Sequence, residues 1–248
     1  MGPTLAKPPR TLHLQGSAGR DSPDDVSLPA DTNVVVEEKL DASHCAISFD
    51  SDARLWIAHR GQWLTDPLPR EWRTLRAWCE ARADLLADLL EDRYVLHGEW
   101  MLAKHTVFYD ALPDLLLEYD IHDRGTGRWL DTPTRRRMLD GTGISSGPVL
   151  HAGPAGQADF GGLAGDSVLR SARNRERLLI QAERAGVQGS DALVETLPGQ
   201  AMEGLYVKAE ADGQVTGRFK WIRPEFLDCL LASGSHWADR PIIENLAA

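Results

Sequence analysis

An amphipathic segment in the middle of the chain, set between short strand-like runs, constrains the fold more than any other feature of the sequence. Between Glu71 and Asp92 the apolar residues recur at three- and four-residue steps, and charged residues fill the opposite face. This spacing predicts a helix. Alternating or valine-rich runs on both sides predict strands; they are Asn33 to Lys39, Cys45 to Asp50, Arg54 to His59, Tyr94 to Leu102 and Leu115 to Ile121. The first three runs together predict a small antiparallel sheet.

The second half of the chain continues this mixture of elements. A polar helix is predicted to start at Thr132, and a second helix to span Ser167 to Ala185. A glycine-rich stretch follows from Gly141 to Gly165. Its last part, Gly161-Gly162-Leu163-Ala164-Gly165, lacks the lysine and Ser/Thr of a phosphate-binding loop and is interpreted as a flexible loop. Strands are predicted at Glu203 to Ala209 and Val215 to Ile222, joined by a hairpin turn at Asp212-Gly213. Mixed strands, hairpins and helices indicate an α+β fold rather than a parallel βαβ sheet.

Length and composition indicate how the chain is organised. With 248 residues, of which 42% are hydrophobic, the chain can bury a substantial core. Residues 1–32 are rich in Pro, Gly, Ser and Asp, which predicts an arm on or near the core. We expect residues 33–248 to form one domain. No run reaches the roughly 18 apolar residues of a membrane span, and the N-terminus lacks the apolar centre of a secretory signal, so a cytoplasmic location is expected.

Charge and cysteine content exclude several classes of protein. The formal net charge is −10, which argues against broad, sequence-independent adhesion to nucleic acid and leaves a local cationic groove open. The three cysteines are far apart and form no CxxC pair, so buried thiols are expected rather than disulfides or a zinc site. The run Arg135-Arg136-Arg137 could contact phosphate, but an exposed helix face is the commoner meaning of such a run.

Candidate chemistry begins with a lysine at the end of a predicted buried strand, in Glu38-Lys39-Leu40-Asp41-Ala42. Alone, this pattern is more often a solvated lysine at the end of a strand. Further short motifs follow in a fixed order: His59-Arg60-Gly61, Gly98-Glu99-Trp100, Glu118-Tyr119-Asp120-Ile121, Glu203-Gly204-Leu205-Tyr206-Val207-Lys208 and Arg218-Phe219-Lys220. Six ordered motifs are a much stronger signal than any one of them.

Their order and spacing resemble those of the ATP-dependent RNA ligases, a family related to DNA ligases and mRNA capping enzymes. The first motif of that family is Lys-x-Asp-Gly. The resemblance extends from about Pro9 to Phe226, and it is closest to a bacterial ligase-like group with segments such as Pro9-Arg10-Thr11 and Gly98 to His105. It implies a nucleotidyltransferase fold, in which two antiparallel sheets flanked by helices enclose a nucleotide cleft. Only about twenty residues follow Phe226, so no appended OB-fold is expected.

The resemblance also implies a role for each matching residue. Lys39 is the nucleophile that takes AMP from ATP, and Glu203 is the carboxylate linked to Mg²⁺ or Mn²⁺. The residues expected to bind the nucleotide are Glu38 (adenine amino group), Tyr119 (adenine ring), Glu99 (ribose), Arg60 and Lys208 (sugar or phosphate), Arg218 and Lys220 (α-phosphate) and Asp41. Asp120 is expected to support the joining of nucleic-acid ends.

The implied reaction is ligation of nucleic-acid ends. Lysyl-AMP forms, AMP passes to a 5′-phosphate end, and a 3′-hydroxyl displaces it; RNA is favoured over DNA as the strand. An amine attacks phosphorus only when uncharged, so the pKa of Lys39 is predicted to be lowered by burial, by Arg218 and Lys220, and by a metal ion. Whether a partner protein supplies additional end binding is left open.

Two positions depart from the family pattern. Ala42 replaces the glycine of the first motif, and a methyl group there restricts positive φ angles and close approach of the backbone. His44 stands where RNA ligases often carry asparagine. Two alternatives therefore remain: a capping-type guanylyltransferase, which uses GTP, and a nucleotide- or RNA-binding module that has lost catalysis.

Overall fold

The computed structural model describes residues 3–18, 25–234 and 237–247, which form two β-sheets flanked by helices. The strands are β1 Leu12–His13, β2 Asn33–Glu38, β3 Ser43–Phe49, β4 Leu55–His59, β5 Gln62–Trp63, β6 Tyr94–Trp100, β7 Leu116–Asp123, β8 Arg128–Trp129, β9 Ser145–Ser146, β10 Val149–Pro154, β11 Gly204–Ala211 and β12 Gln214–Ile222. The helices are α1 Arg70–Glu80, α2 Ala83–Leu90, α3 Thr132–Leu139, α4 Phe160–Leu163, α5 Asn174–Arg184, α6 Gly189–Val194 and α7 Pro224–Ala232. Short 3₁₀ turns lie at Ala155–Gln157 and Trp237–Asp239. The predicted α+β class is confirmed.

The first sheet has the strand order β1-β12-β11-β2-β10. Its pairings are antiparallel except for β1, which runs parallel to β12. Alternate valines of β2, Val34 and Val36, are fully buried and share a core with Val207 and Phe219, which is the burial that the valine run predicts. The predicted hairpin is present, and positive φ angles at Asp212 and Gly213 make its turn.

The second sheet has the strand order β5-β4-β3-β6-β7-β8, with β9 added in parallel beside β7. Helices α1 and α2 share one apolar core with this sheet. The sequence predicts a single helix over this region, but a non-helical Arg82 (φ −126°, ψ 21°) separates α1 from α2. The break leaves Trp78 of the first helix and Leu86 and Leu90 of the second in the same core, so the apolar spacing identified the buried residues correctly but missed the break.

The chain crosses from the first sheet to the second between β2 and β3. The prediction of one small sheet from the first three strand patterns was therefore wrong, because β2 pairs with β10 and β11 whereas β3 pairs with β4 and β6. Lys39 still donates its backbone N–H to the carbonyl of Gly204 at 2.9 Å. The segment from Lys39 to Ala42 thus joins the two sheets.

The glycine-rich stretch holds more regular structure than its composition predicts. Val149–Pro154 forms edge strand β10 against β2, and Phe160–Leu163 forms the short helix α4, capped by the Asp159 carboxylate. The side chains of β10 are only partly buried, so the stretch shows no apolar alternation from which a strand could be predicted. The predicted helix from Ser167 is shorter than expected and begins at Asn174.

Both ends of the described chain pack on the sheets. In the N-terminal segment, β1 pairs with β12 while Leu5 packs on the second sheet against Ala46, Ala58 and Val95. Near the C-terminus the buried amide of Asn245 donates to the carbonyl of Met101 at 2.8 Å and accepts from the backbone N–H of Tyr109 at 2.8 Å. Within the described residues, no helix is long and apolar enough to cross a membrane.

Candidate active site

A cleft of about 220 Å³ lies between the two sheets, and five of the eleven predicted site residues line it. Its walls include Glu37, Glu38, Lys39, Tyr206 and Lys220 from the first sheet and its crossing segment, Glu99 and Tyr119 from the second sheet, and Pro8 and Thr11 from the N-terminal segment. Strand alternation accounts for the first wall, because Tyr206 and Lys220 are cross-strand partners on one face of the hairpin.

Lys39 is held by a carboxylate. Its side chain is 29% exposed, and Nζ lies 2.8 Å from Oε1 of Glu203. Burial lowers the pKa of Lys39, but the charges of Glu203, Asp41 and Glu99 outweigh burial and raise it above the usual value. The predicted lowering of this pKa was therefore wrong for the chain on its own, because carboxylates surround the amine where cations were expected.

Glu203 and Glu99, termed here the mouth carboxylates, are incompletely paired. Burial raises the pKa of Glu203 to about 7 and the pKa of Glu99 well above its usual range. Oε2 of each residue is buried and has no hydrogen-bond partner among the described residues. Such oxygens suit a hard divalent cation, since Mg²⁺ is usually bound through one or two carboxylates with water and substrate phosphates completing its shell. No group of three or more His, Cys, Asp or Glu side chains in the described part of the chain forms a ready metal cage.

Asp41 fixes the loop that carries Lys39. Its Oδ2 accepts hydrogen bonds from the backbone N–H groups of Thr106 at 2.6 Å and Val107 at 2.7 Å, and its own N–H donates to the Tyr109 hydroxyl at 3.0 Å. Ala42 is not among the non-glycine residues with positive φ. Alanine therefore fits this turn without backbone strain, which removes the structural objection to replacing the motif glycine.

An inner ion-pair network, formed by Glu37, Glu118, Arg135 and Lys208, lies beside the cleft. Lys208 Nζ is 2.7 Å from Glu37 Oε2, and Arg135 contacts Glu37 at 3.1 Å and also binds Glu118. All four side chains are at most 1% exposed. Both cations neutralise buried carboxylates, so the exposed position expected for Arg135 was wrong. The contact of Lys208 with sugar or phosphate stays a prediction.

Arg218 is likewise engaged inside the protein. Its Nε donates to Asp120 Oδ2 at 3.0 Å, and its guanidinium lies 4.5 Å from the centre of the Trp129 ring. The Tyr206 hydroxyl donates to the same Asp120 oxygen at 3.2 Å. Arg218 therefore does not supply the positive charge that was predicted beside Lys39. Lys220 does lie close, since its pKa is lowered by burial and by the charge of Lys39.

Two tyrosines form the aromatic part of the cleft. Tyr119, predicted to stack on adenine, meets Tyr206 edge to face with ring centres 5.6 Å apart. The sequence pattern did not single out Tyr206, although its alternation with Lys208 places it on the cleft face. Glu38 also borders the cleft; burial raises the pKa of Glu38 to about 7, and Ser167 and Arg170 lie near its carboxylate. The adenine contacts of Tyr119 and Glu38 stay predictions.

Arg60 lies in the turn between β4 and β5, where its φ is 47°. Its backbone N–H donates to His44 Nδ1 at 3.3 Å, which puts the His44 proton on Nε2, facing His97 Nδ1 at 3.2 Å. Burial lowers the pKa of His44 to about 4 and that of His97 to about 3, so both rings are neutral. His44 thus holds the Arg60 turn, whereas Arg60 itself borders a second cavity, separate from the cleft.

A sequence model of the family described as RNA ligase matches residues 32–222. The chain belongs to the RNA ligase family. This match covers well over half of the sequence and includes all six motifs, which confirms the resemblance drawn from them. A search of curated proteins gives no match.

Solved structures of an RNA ligase from Naegleria gruberi share the fold. A glutamate-to-alanine mutant with ATP and Mn superposes with a TM-score of 0.51 at 18% identity, covering 80% of this chain and 52% of that one. An arginine-to-alanine mutant with ATP and Mn gives a TM-score of 0.51 at 17% identity, with the same coverage. The chain thus spans about half the length of these proteins and has the predicted nucleotidyltransferase fold of RNA ligases.

Proposed function

We propose that this protein is an ATP-dependent polynucleotide ligase that works through a lysyl-AMP intermediate on Lys39. The observation that carries the proposal is the Lys39 amine, partly exposed in a cleft between two sheets and held 2.8 Å from Glu203. Membership of the RNA ligase family, together with the fold shared with a ligase solved with ATP and Mn, supports this reaction.

In the proposed first step, the uncharged Nζ of Lys39 attacks the α-phosphorus of ATP. An N–P bond forms, the bond to the bridging oxygen breaks, and pyrophosphate leaves. The amine must first lose a proton, and Glu203 is the nearest acceptor at 2.8 Å. Lys220 would stabilise the negative charge on the phosphate oxygens, and Tyr119 would contact the base.

Glu203 and Glu99 would hold a divalent cation, because each has a buried, unpaired carboxylate oxygen. Bound Mg²⁺ or Mn²⁺ would add positive charge beside the phosphates and weaken the hold of Glu203 on the amine, which favours the uncharged form of Lys39. In the later steps, AMP would pass to the 5′-phosphate of a strand, and a 3′-hydroxyl would displace it. RNA is the proposed strand, and Asp120 would support this joining by fixing Arg218 and Tyr206.

Mass spectrometry of the protein incubated with ATP and Mg²⁺ or Mn²⁺ tests the proposal. We expect the mass of one AMP to be added to the wild type and to be missing in Lys39→Ala, with Lys7→Ala as a matched control that keeps the adduct. A parallel incubation with GTP separates a ligase from a guanylyltransferase. Absence of any Lys39-linked nucleotide with either metal ion would leave a binding module in place of the enzyme.

A further inference from the structure

The N-terminal segment runs from the second sheet to the first along the cleft between them. At one end Leu5 packs on the second sheet, in a cluster with apolar side chains of β3, β4 and β6. At the other end β1 pairs with β12 of the first sheet. Between these two contacts, Pro8 and Thr11 border the cleft. Residues 5–13, termed here the strap, therefore form one side of the cleft and connect its two walls.

The two ends of the strap are held in different ways. On the first sheet, β1 pairs with β12, and the buried Leu14 donates its backbone N–H to the carbonyl of Lys220 at 2.9 Å. On the second sheet such bonds are missing, because no backbone hydrogen bond involves residues 3–9 within the described part of the chain. A segment held by few contacts opens at a low cost in free energy. The strap should therefore release at Leu5 and stay attached at β1.

The middle of the strap is stiff. Lys7 is followed by Pro8 and Pro9, and each proline fixes its own φ at about −65° and keeps the preceding residue extended. The stem of Lys7 lies over Gly61 in the β4–β5 turn, where the absence of a Cβ leaves room for it. When the contacts at Leu5 are lost, this part of the strap should lift as one arm.

The cleft beneath the strap is smaller than a nucleotide needs. Its volume is about 220 Å³, whereas sites for ligands of drug size measure roughly 300–1,000 Å³. The strands that supply the other cleft residues, β2, β6, β7, β11 and β12, are each paired with a neighbour on both sides. Moving any of them breaks the hydrogen bonds of a sheet, so the strap is the part of the boundary that moves at the lowest cost.

We propose that the strap is a lid of the active site, whose Leu5 end lifts to admit ATP and to release pyrophosphate. The proposal rests on the proposed ligase function, in which the cleft binds ATP. The closed strap keeps water away from the lysyl-AMP and sets the rate at which nucleotide is exchanged. No residue of the strap takes part in making or breaking bonds.

Stopped-flow binding of a fluorescent α,β-methylene analogue of ATP, with Mg²⁺ present, tests the proposal. This analogue cannot transfer AMP, so its association and dissociation rates are measured apart from ligase chemistry. We expect Leu5→Ser to raise both rates about tenfold, because serine loses the apolar contacts that hold the strap closed. The dissociation constant should change by less than about threefold, because the closed state is weakened equally in the free and the bound protein.

Two controls accompany this variant. Leu5→Met keeps the apolar contacts and should retain the wild-type rates. Leu231→Ser makes the same chemical change at a residue of α7 that is 71% exposed, and it should also leave both rates unchanged. Circular dichroism checks folding. If Leu5→Ser does not fold, Leu5→Ala provides the same comparison, with an expected rise of about threefold in both rates.

Wild-type association and dissociation rates in the folded Leu5 variant would overturn the proposal. A rise in the dissociation rate alone would also contradict it, because the strap would then be a direct contact of the nucleotide rather than a lid. The same holds if the wild type does not bind the analogue. If both rates depend on Leu5 but ATP gives no lysyl-AMP, the ligase proposal fails, while the strap is still the lid of a nucleotide site.

Discussion

The inner ion-pair network and the mouth carboxylates lie in the same part of the protein, but their charges are balanced differently. The charges of the network are paired, whereas those of the mouth carboxylates are only partly paired. In the network, Arg135 and Lys208 neutralise Glu37 and Glu118, and each side chain is almost completely buried. At the mouth, Lys39 pairs with Glu203, whereas Lys220 and Arg60 act on the two carboxylates only through their charge. Each carboxylate keeps one buried oxygen without a hydrogen-bond partner among the described residues. Balanced charge holds the two sheets together, whereas the excess of negative charge is suited to a cation that arrives with the nucleotide.

Because of this difference, residues from the same motif can lie in different surroundings. Lys208 and Glu203 come from one motif, yet Lys208 is locked inside and Glu203 faces the amine. Membership of one motif therefore does not give two charged side chains the same surroundings. Variants on the two sides should therefore fail in different assays.

The largest expected effect is on stability. Arg135→Met leaves Glu37 and Glu118 buried without their cation and should lower the free energy of unfolding by about 3–5 kcal/mol. Urea denaturation measures this change, with the exposed Arg137→Met as the matched control. A loss below about 1 kcal/mol would mean that the network does not hold the sheets together.

The next effect is on catalysis. Glu203→Gln should slow lysyl-AMP formation about 100-fold, because it removes a carboxylate proposed to bind the metal ion and to accept the proton of Lys39. Its free energy of unfolding should change by less than about 1 kcal/mol, since a neutral amide is easier to bury than an incompletely paired carboxylate. Single-turnover labelling with ATP, beside the exposed Glu183→Gln, separates the two quantities. If Glu203→Gln lowered the free energy of unfolding as much as Arg135→Met does, the proposed difference between the two regions would be wrong.

The pH dependence of labelling sharpens the comparison. The pKa of Glu203 is about 7, so the carboxylate is mostly protonated at pH 6 and mostly ionised at pH 8. The raised pKa of Lys39 acts in the same direction, since its uncharged fraction also grows with pH. The rate of lysyl-AMP formation should therefore rise at least about tenfold from pH 6 to pH 8. Glu203→Gln should lose the part of the rise centred near pH 7, and a flat profile in the wild type would contradict this assignment.

The smallest expected effect is at Ala42. Because Ala42 does not have a positive φ, Ala42→Gly should give no gain in labelling rate and should lower the free energy of unfolding by about 0.5–1 kcal/mol through added chain entropy. Thermal denaturation and labelling of the same preparations test this. Faster labelling in the glycine variant would show that the alanine restrains the nucleophile loop.

The residues that the sequence located well are those whose position follows from local pattern. Lys39 directly follows buried strand β2, Glu203 directly precedes β11 and Glu99 lies on β6, and the fold brings the three charged groups together. Periodicity likewise identified the buried faces of α1 and α2, and the Asp212-Gly213 dipeptide identified the hairpin.

What the sequence could not provide was the partner of each charged side chain. Arg135 comes from a run of three arginines, and only its packing distinguishes it from its exposed neighbours. Glu37 was missed because it immediately precedes the motif residues, and its pairing with Lys208 depends on contacts between distant strands. The direction of the pKa shift at Lys39 was predicted wrongly for the same reason, because the balance of nearby charges depends on the fold.

The crossing of the chain between sheets has one further consequence. The segment from Lys39 to Ala42 is the whole connection between β2 and β3, so the spacing of the two layers and the reach of the amine are governed by the same few peptide bonds. Lengthening that connection by one residue would displace the nucleophile even with every side chain of the cleft intact. The reactivity of Lys39 therefore depends on the relative position of the two sheets.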